Sequence, residues 1–376
     1  DTALLVEGNT AFAFDLYQAL REQDGNLFYS PHSISVALAM TYAGARGETA
    51  EQMADTLRFL LDQDDLHPAF NWLDAELARR GEGAGSKDGE GFRLNVVNAI
   101  WGQKDYGFLP AFLDVLAENY GAGLNVLDFM NEAEESRLTI NDWVSYHTEG
   151  RIEDLILQGA IDPLTRLVLT NAIYFNAAWA QPFDRRGTAD GPFYLLDGGE
   201  VVVPMMRETQ PVGYARGTGY QAVELFYDGR ELSMVILLPD AGQFQAFEED
   251  LDAQRVKNIV GALQPGRLML TMPKFEFDSQ FSLSDTLAAM GMPVAFSGAA
   301  DFSDMTGGRD LFISEVVHKA FVAVDEEGTE AAAATGVVMI TSMPPDLTID
   351  RPFIFLIRDI DTGAILFVGR VLNPSA

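Results

Sequence analysis

The chain has 376 residues, 48% hydrophobic and 11% aromatic, enough for a sizeable core, and no apolar run reaches the roughly 20 residues that a membrane helix needs. Its 56 Asp and Glu against 25 Lys and Arg give a formal charge of −31, which argues against nucleic acid or an anionic membrane as partner, since both require clustered cations. The absence of cysteine excludes disulfides and thiolate metal sites. No Pro/Gly/Ser linker divides the chain, so one domain over residues 1–376 is expected. It starts at Asp1 without a basic-then-apolar leader, compatible with a removed signal peptide and an extracellular or periplasmic location, with the cytoplasm left open. The one Asn-x-Ser pattern, Asn373-Pro374-Ser375, has Pro in the forbidden position for glycosylation.

The first half reads as largely helical. Asn9 or Thr10 is expected to cap a helix with Phe12, Leu16 and Leu20 on one face. Ser30 and Pro31 are expected to open a second, as cap and first-turn proline, running to Gly44. Thr49 with Gln52 reads as the capping box of a third. Residues 81–91 are a polar, Gly-rich loop, and 94–101 an interior strand with both faces mostly apolar. An amphipathic helix over 140–152 precedes a buried strand over 166–175. From residue 201 strands dominate: 233–238, 267–272, 312–324, 349–357 and 364–372. No internal repeat is visible, which excludes solenoids.

Residues 326–345 form a strand-like stretch with no evident reason to stay exposed. Alternation places Thr329, Ala331, Ala333, Thr335, Val337 and Met339 on one uncharged face that can be buried, and Glu330, Ala332, Ala334, Gly336 and Val338 on the other, where water or a sheet surface keeps Glu330 solvated. A slip of one residue would bury Glu330, so the register is specified.

Known catalytic patterns are missing. Histidine occurs at 32, 67, 147 and 318 alone, without His-Glu-x-x-His or Gly-x-Ser-x-Gly, and His32 and Ser33 point apart as helical neighbours do. Nucleotide-binding glycine patterns are absent, and Asp62, Asp64, Asp65, Asp359 and Asp361 read as solvated turn acids because the EF-hand Gly and Glu are missing. No enzyme activity, metal or cofactor is expected.

Four further segments carry a resemblance. They are Asn26-Leu-Phe-Tyr-Ser-Pro-His-Ser33 through Thr49; Leu167-Val-Leu-Thr-Asn-Ala-Ile-Tyr-Phe175 through Trp179 and Pro182-Phe183; Ile313-Ser-Glu-Val-Val-His318 through Phe321; and Phe367-Val-Gly-Arg370 through Pro374. With the small-residue tract 328–334, Pro344-Pro345 and Asp350-Arg351-Pro352-Phe353, this series resembles the serpin family of serine protease inhibitors, inhibitory type, almost end to end. Where many members have Lys between Phe and Trp, this chain has Asn176-Ala177-Ala178.

The resemblance implies an α+β serpin fold, about nine helices around three β-sheets, with an exposed reactive-centre loop over about 326–346. It implies a hinge formed by Glu326, Gly328, Thr329, Glu330, Ala331, Ala332, Ala333 and Ala334. Ser30, Ser33, Asn171 and His318 would form a polar cluster beneath the opening strands of the main sheet, with Trp179 near the upper end of that opening. The implied partner is a target serine protease, held as a covalent acyl-enzyme after loop cleavage and insertion of the loop into the sheet. Counting from Gly328 places the acyl donor at Ser342, and counting back from Pro345 and Pro352 places it at Thr341; the downstream ruler is preferred, giving a reactive bond between Thr341 and Ser342. A small, uncharged residue there with apolar neighbours suits elastase-, chymotrypsin- or subtilisin-like enzymes. Arg79, Arg80 and Lys87, interrupted by Glu82, are too few for a heparin-type site, so no heparin is expected. A monomer is expected, and the rival function is a non-inhibitory chaperone or binding serpin.

Overall fold

The computed structural model describes residues 1–80, 93–329 and 344–376. Ten α-helical segments occur among the described residues. Ser30 caps the helix Pro31–Tyr42, its Oγ accepting the Ser33 N–H at 3.1 Å, and Pro31 loses nothing at a position whose N–H has no helical partner. All twelve residues of this helix are buried, as its apolar and small side chains permit. Two expected caps are corrected. The first helix is Thr2–Leu20, so Asn9 and Thr10 lie inside it, and the Thr10 hydroxyl donates back to the Val6 carbonyl at 2.7 Å. The third is Gly47–Leu57 with Arg46 at its cap; the Thr49 hydroxyl accepts the Asp301 N–H instead, and Gln52 pairs with Glu48.

A six-stranded sheet runs in the order Phe275–Ser282, Glu315–Val324, Leu167–Ala178, Arg93–Gln103, Leu124–Leu127. Its central neighbours, Glu315–Val324 and Leu167–Ala178, are parallel, paired from Glu315 opposite Val168 to Phe321 opposite Tyr174. Beyond that point each strand continues, to Val324 and Ala178, without pairing to the other. At the parted end the two residues Gly328–Thr329 pair antiparallel with Ala178 and Ala177. Leu167–Ala178 is buried on both faces, the pattern of a covered parallel strand. Leu169, Ile173, Phe175 and Ala177 enter the main core. Val168 and Ala172 enter a second core with Ile140 and Val144 of the helix Ala133–His147 and Ile152, Leu155 and Ile156 after it. The helix expected over 140–152 thus begins earlier and stops at His147.

A nine-stranded sheet packs on the other side. The 18-residue strand Glu200–Gly217 joins its two ends, pairing with Ala189–Tyr194 at one end, with Gln264–Pro273 along its middle and with Tyr220–Phe226 at the other. At its heart lie Leu232–Pro239, Phe353–Asp359 and Ile365–Val371, the last also pairing with Leu27–Tyr29. A side chain at Gly369 would place Cβ 2.2 Å from the Phe355 ring, so only glycine lets these strands close up. The expected strand over 349–357 begins later, at Phe353, and residues 349–352 lie between two strands. Asp346–Thr348 pairs parallel with Gln264–Pro273, and Phe353–Asp359 starts afresh after Pro352, which has no N–H to give to a ladder. Among the described residues no helix is long and apolar enough to cross a membrane.

Candidate functional site

Three adjacent strands bring three polar side chains into one row. The register sets Asn98 opposite Asn171 and Asn171 opposite His318. Beneath them Ser33 projects from the first turn of Pro31–Tyr42, its hydroxyl donating to Asn98 Oδ1 at 3.2 Å. The Asn171 amide donates to Ser33 Oγ and to Asn98 Oδ1, and its Oδ1 pairs with His318 Nδ1. The Ser30 backbone N–H donates to His318 Nε2 at 3.2 Å. That nitrogen must therefore be the acceptor, which puts the ring proton on Nδ1 and makes the imidazole neutral. Burial pushes its pKa down to about 3. Phe281 stacks on the ring at 6.2 Å.

Of the sequence-predicted cluster, Ser33, Asn171 and His318 meet through their side chains, whereas Ser30 takes part through its backbone and spends its hydroxyl on the helix cap. Asn98 was not anticipated. The available signal was a lone Asn in the middle of the otherwise apolar Val96-Val97-Asn98-Ala99-Ile100, since a buried amide needs partners.

At the parted end of the central strands, the segment after Val324 turns over Trp179. This residue is buried, stacks on Tyr227 at 4.7 Å, and donates its indole N–H to the Asp325 carbonyl at 3.0 Å. The Trp179 and Phe183 N–H groups donate to the carbonyls of Glu327 and Glu326 at 2.9 and 2.7 Å. Asp325 closes the turn, accepting the N–H groups of Glu327 and Gly328. Gly328 has φ +146°, and a Cβ there would lie 2.3 Å from the Ala177 carbonyl oxygen, so a larger residue would displace the pairing.

Glu326 is buried and accepts from Lys274 Nζ and Thr188 Oγ1, each at 2.7 Å. Burial raises the pKa of its carboxyl, but the hydrogen bonds from Lys274 and Thr188 outweigh this and hold it below the usual range. Glu327 pairs with Arg185. Of the expected hinge, Glu326 is thus an anchored, buried residue and Gly328–Thr329 a short strand, while Glu330, Ala331, Ala332, Ala333, Ala334 and the bond between Thr341 and Ser342 lie outside the described residues. Lys274, Thr188 and Tyr227 come from strands and turns distant in sequence and carried no signal of their own.

His32 pairs with Asp74 at 2.9 Å and Ser33 with Asn98, so the one adjacent His and Ser do not address each other. A strand continuing from Gly328–Thr329 would run antiparallel to both central strands, an allowed pairing on each side.

A family model described as Serpin (serine protease inhibitor) matches residues 7–374. A serpin-like protein of Thermococcus kodakarensis is 40% identical over 98% of this chain and 86% of its own length. The leukocyte elastase inhibitor of Xenopus laevis is 41% identical over 97% of this chain and 98% of its own, and that of Homo sapiens 40% over 98% and 99%. Among solved structures, uncleaved ovalbumin superposes with a TM-score of 0.89 at 26% identity, covering 98% of this chain and 99% of its own. Thyroxine-binding globulin in complex with thyroxine superposes at 0.87 with 31% identity over the same shares.

Proposed function

Because the chain belongs to the serpin family, we propose that it traps serine proteases through a loop over about 326–346 that is cleaved, held as an acyl-enzyme, and drawn into the six-stranded sheet between Glu315–Val324 and Leu167–Ala178. The observation that carries this reading is the parted parallel pair with Gly328–Thr329 already paired on one of its strands. Continued in that register, each later residue meets one earlier on Leu167–Ala178. Ala331 would meet Phe175, Ala333 Ile173, Thr335 Asn171, Val337 Leu169 and Met339 Leu167, so the uncharged face meets the main core. Ala332, Ala334, Gly336 and Val338 would meet Tyr174, Ala172, Thr170 and Val168 on the face of the second core. That face is covered lower down, so small residues there fit better than the open surface expected from the sequence, and Glu330 would stay opposite the half-buried Asn176.

Roughly ten new ladder hydrogen bonds at about 1 kcal/mol each, with apolar burial, can supply on the order of 10 kcal/mol toward distorting the trapped enzyme. Ser33, Asn98, Asn171 and His318 act as the latch that re-pairs when Thr335 arrives beside Asn171. We read the chain as one domain acting as a single copy. The preferred reactive bond is between Thr341 and Ser342, with elastase-, chymotrypsin- or subtilisin-like enzymes as targets; the relatives named leukocyte elastase inhibitor support that class. Mixing the protein with elastase, chymotrypsin, subtilisin and trypsin tests it. An SDS-stable complex with one of the first three is expected, with release of a C-terminal peptide that mass spectrometry finds to begin at Ser342. A peptide beginning at Met343 would move the bond by one residue. No complex with any of them would favour a binding serpin, the kind of role the likeness to a thyroxine complex represents.

A further inference from the structure

Three segments distant in sequence meet around a cavity of about 420 Å³. One wall is residues 194–196, where the strand Ala189–Tyr194 turns. The second is residues 350–352, between Asp346–Thr348 and Phe353–Asp359. The third is the turn that leaves Leu232–Pro239 at Asp240 and enters the short helix Phe244–Glu249. Backbone carbonyls hold the walls together: Asp350 accepts the Tyr194 N–H at 2.7 Å, and Pro239 accepts from Arg351 Nε at 2.9 Å. The third wall is also fixed within itself. The Asp240 N–H donates to the Gly219 carbonyl and the Asp240 carbonyl accepts the Gln243 N–H, each at 2.9 Å, with Gly242 at φ +76° supplying the left-handed residue of the turn. The cavity is therefore preformed, and its volume lies in the range of small-molecule sites.

Its lining leaves one charge unanswered. The charged side chains there are Asp240, Asp350 and Arg351. Arg351 Nη1 donates to Asp350 Oδ1 at 3.0 Å, so this cation and this acid compensate each other. The Asp240 carboxylate has no hydrogen-bond or ion-pair partner among the described residues. The rest of the lining is largely apolar: Phe244 is buried, and Tyr194 and Leu196 are each 47% exposed. A free carboxylate that shares a cavity with two aromatic rings selects positive charge, because the anion and the ring faces both attract a cation. Trapping a protease uses none of these groups.

We infer that this cavity binds a small organic amine, with its ammonium group at Asp240 and a flat apolar body against Tyr194, Leu196 and Phe244. The inference is independent of the inhibitor reading. A bound amine bridges all three walls, including the segment that joins Asp346–Thr348 to the core strand Phe353–Asp359, and stabilises the native chain by mass action.

Tryptamine serves as the probe, with indole-3-propionate, the same ring on a side chain that ends in an anion, as its control. Calorimetric titration of the intact protein should show one saturable site for tryptamine and none for indole-3-propionate over the same concentrations, and the melting temperature should rise with tryptamine alone. Asp240→Asn should weaken tryptamine roughly tenfold and Tyr194→Ala roughly threefold, both melting like the parent when no ligand is present. Asp190→Asn, which removes an exposed carboxylate outside the cavity, should bind as the parent does. Equal losses in Asp190→Asn and Asp240→Asn would assign the binding to the general attraction of cations to a chain of formal charge −31 and overturn the site. Unchanged affinity in Asp240→Asn would overturn it as well. So would saturable binding of indole-3-propionate, or no saturable binding of tryptamine, to the parent, two outcomes that require no variant.

Discussion

His318 uses both ring nitrogens, one to accept from Ser30 and one to donate to Asn171, and it can do so only while neutral. Its pKa of about 3 in the folded state lies below the ordinary value of about 6.5, so the unfolded chain takes up a proton that the native chain refuses. The resulting stability is present in full above pH 6.5 and is lost progressively as pH falls toward 3, by about 1.4 kcal/mol per pH unit at most. His67 adds a similar contribution, since burial lowers its pKa to about 4. Between pH 6.5 and 5 the buried carboxylates Glu326 and Asp359, whose pKa values are held low, stay ionised, so the histidines dominate that window. The urea midpoint should therefore fall between pH 7 and 5, and His318→Gln should flatten that slope by close to one proton; an unchanged slope would place the proton elsewhere. Glu326 gives a second residue-scale prediction. Lys274→Ala leaves its buried carboxylate with Thr188 as the one remaining side-chain donor and should cost about 1–3 kcal/mol, measured as a shift in the same midpoint.

Between neighbouring elements the decisive quantity is register. Thr329 stands opposite Ala177, whose side chain lies in the main core. Thr329→Arg would have to bury a guanidinium without a partner, at a cost of several kcal/mol, as the loop enters. The stoichiometry of inhibition should climb steeply while cleavage persists; a variant that traps as well as the parent would show that the loop enters in another register. Register also explains what could be read from the sequence. Ser30 and Pro31 announced their helix because a cap is local chemistry, and the apolar runs at Leu232–Pro239 and Ile365–Val371 announced buried strands because burial on two faces needs no partner to be visible. Thr49 misled because its hydroxyl is claimed by Asp301, 252 residues away, and Asn9 because a polar residue in a helix interior looks like a cap. The row Asn98, Asn171, His318 could not be assembled in full, since a single strand does not state which residue lies beside it. The grip of Lys274 and Thr188 on Glu326 was hidden for the same reason.

For the whole molecule, the formal charge of −31 means self-repulsion that salt screens. The melting temperature should rise by several degrees between about 20 mM and 0.5 M salt, and a flat response would show that local pairing such as Arg207 with Asp346 already neutralises the field. Cutting the loop without trapping should raise the melting temperature by tens of degrees, because a strand then joins the parted pair; unchanged melting after verified cleavage would favour the binding rival. The sheet core has one more property, which concerns time. Among the described residues the one strand that pairs with Leu27–Tyr29 is Ile365–Val371, and Arg370 on that strand holds the carbonyls of Arg21, Gln23 and Gly25 and the carboxylate of Glu248. On a ribosome, the strand Leu27–Tyr29 therefore waits for a partner strand made more than 330 residues later. Residues 326–346 are made shortly before Ile365–Val371 completes that sheet, so on the proposed reading the order in which the chain emerges, as much as its final energy, decides whether the loop is left outside.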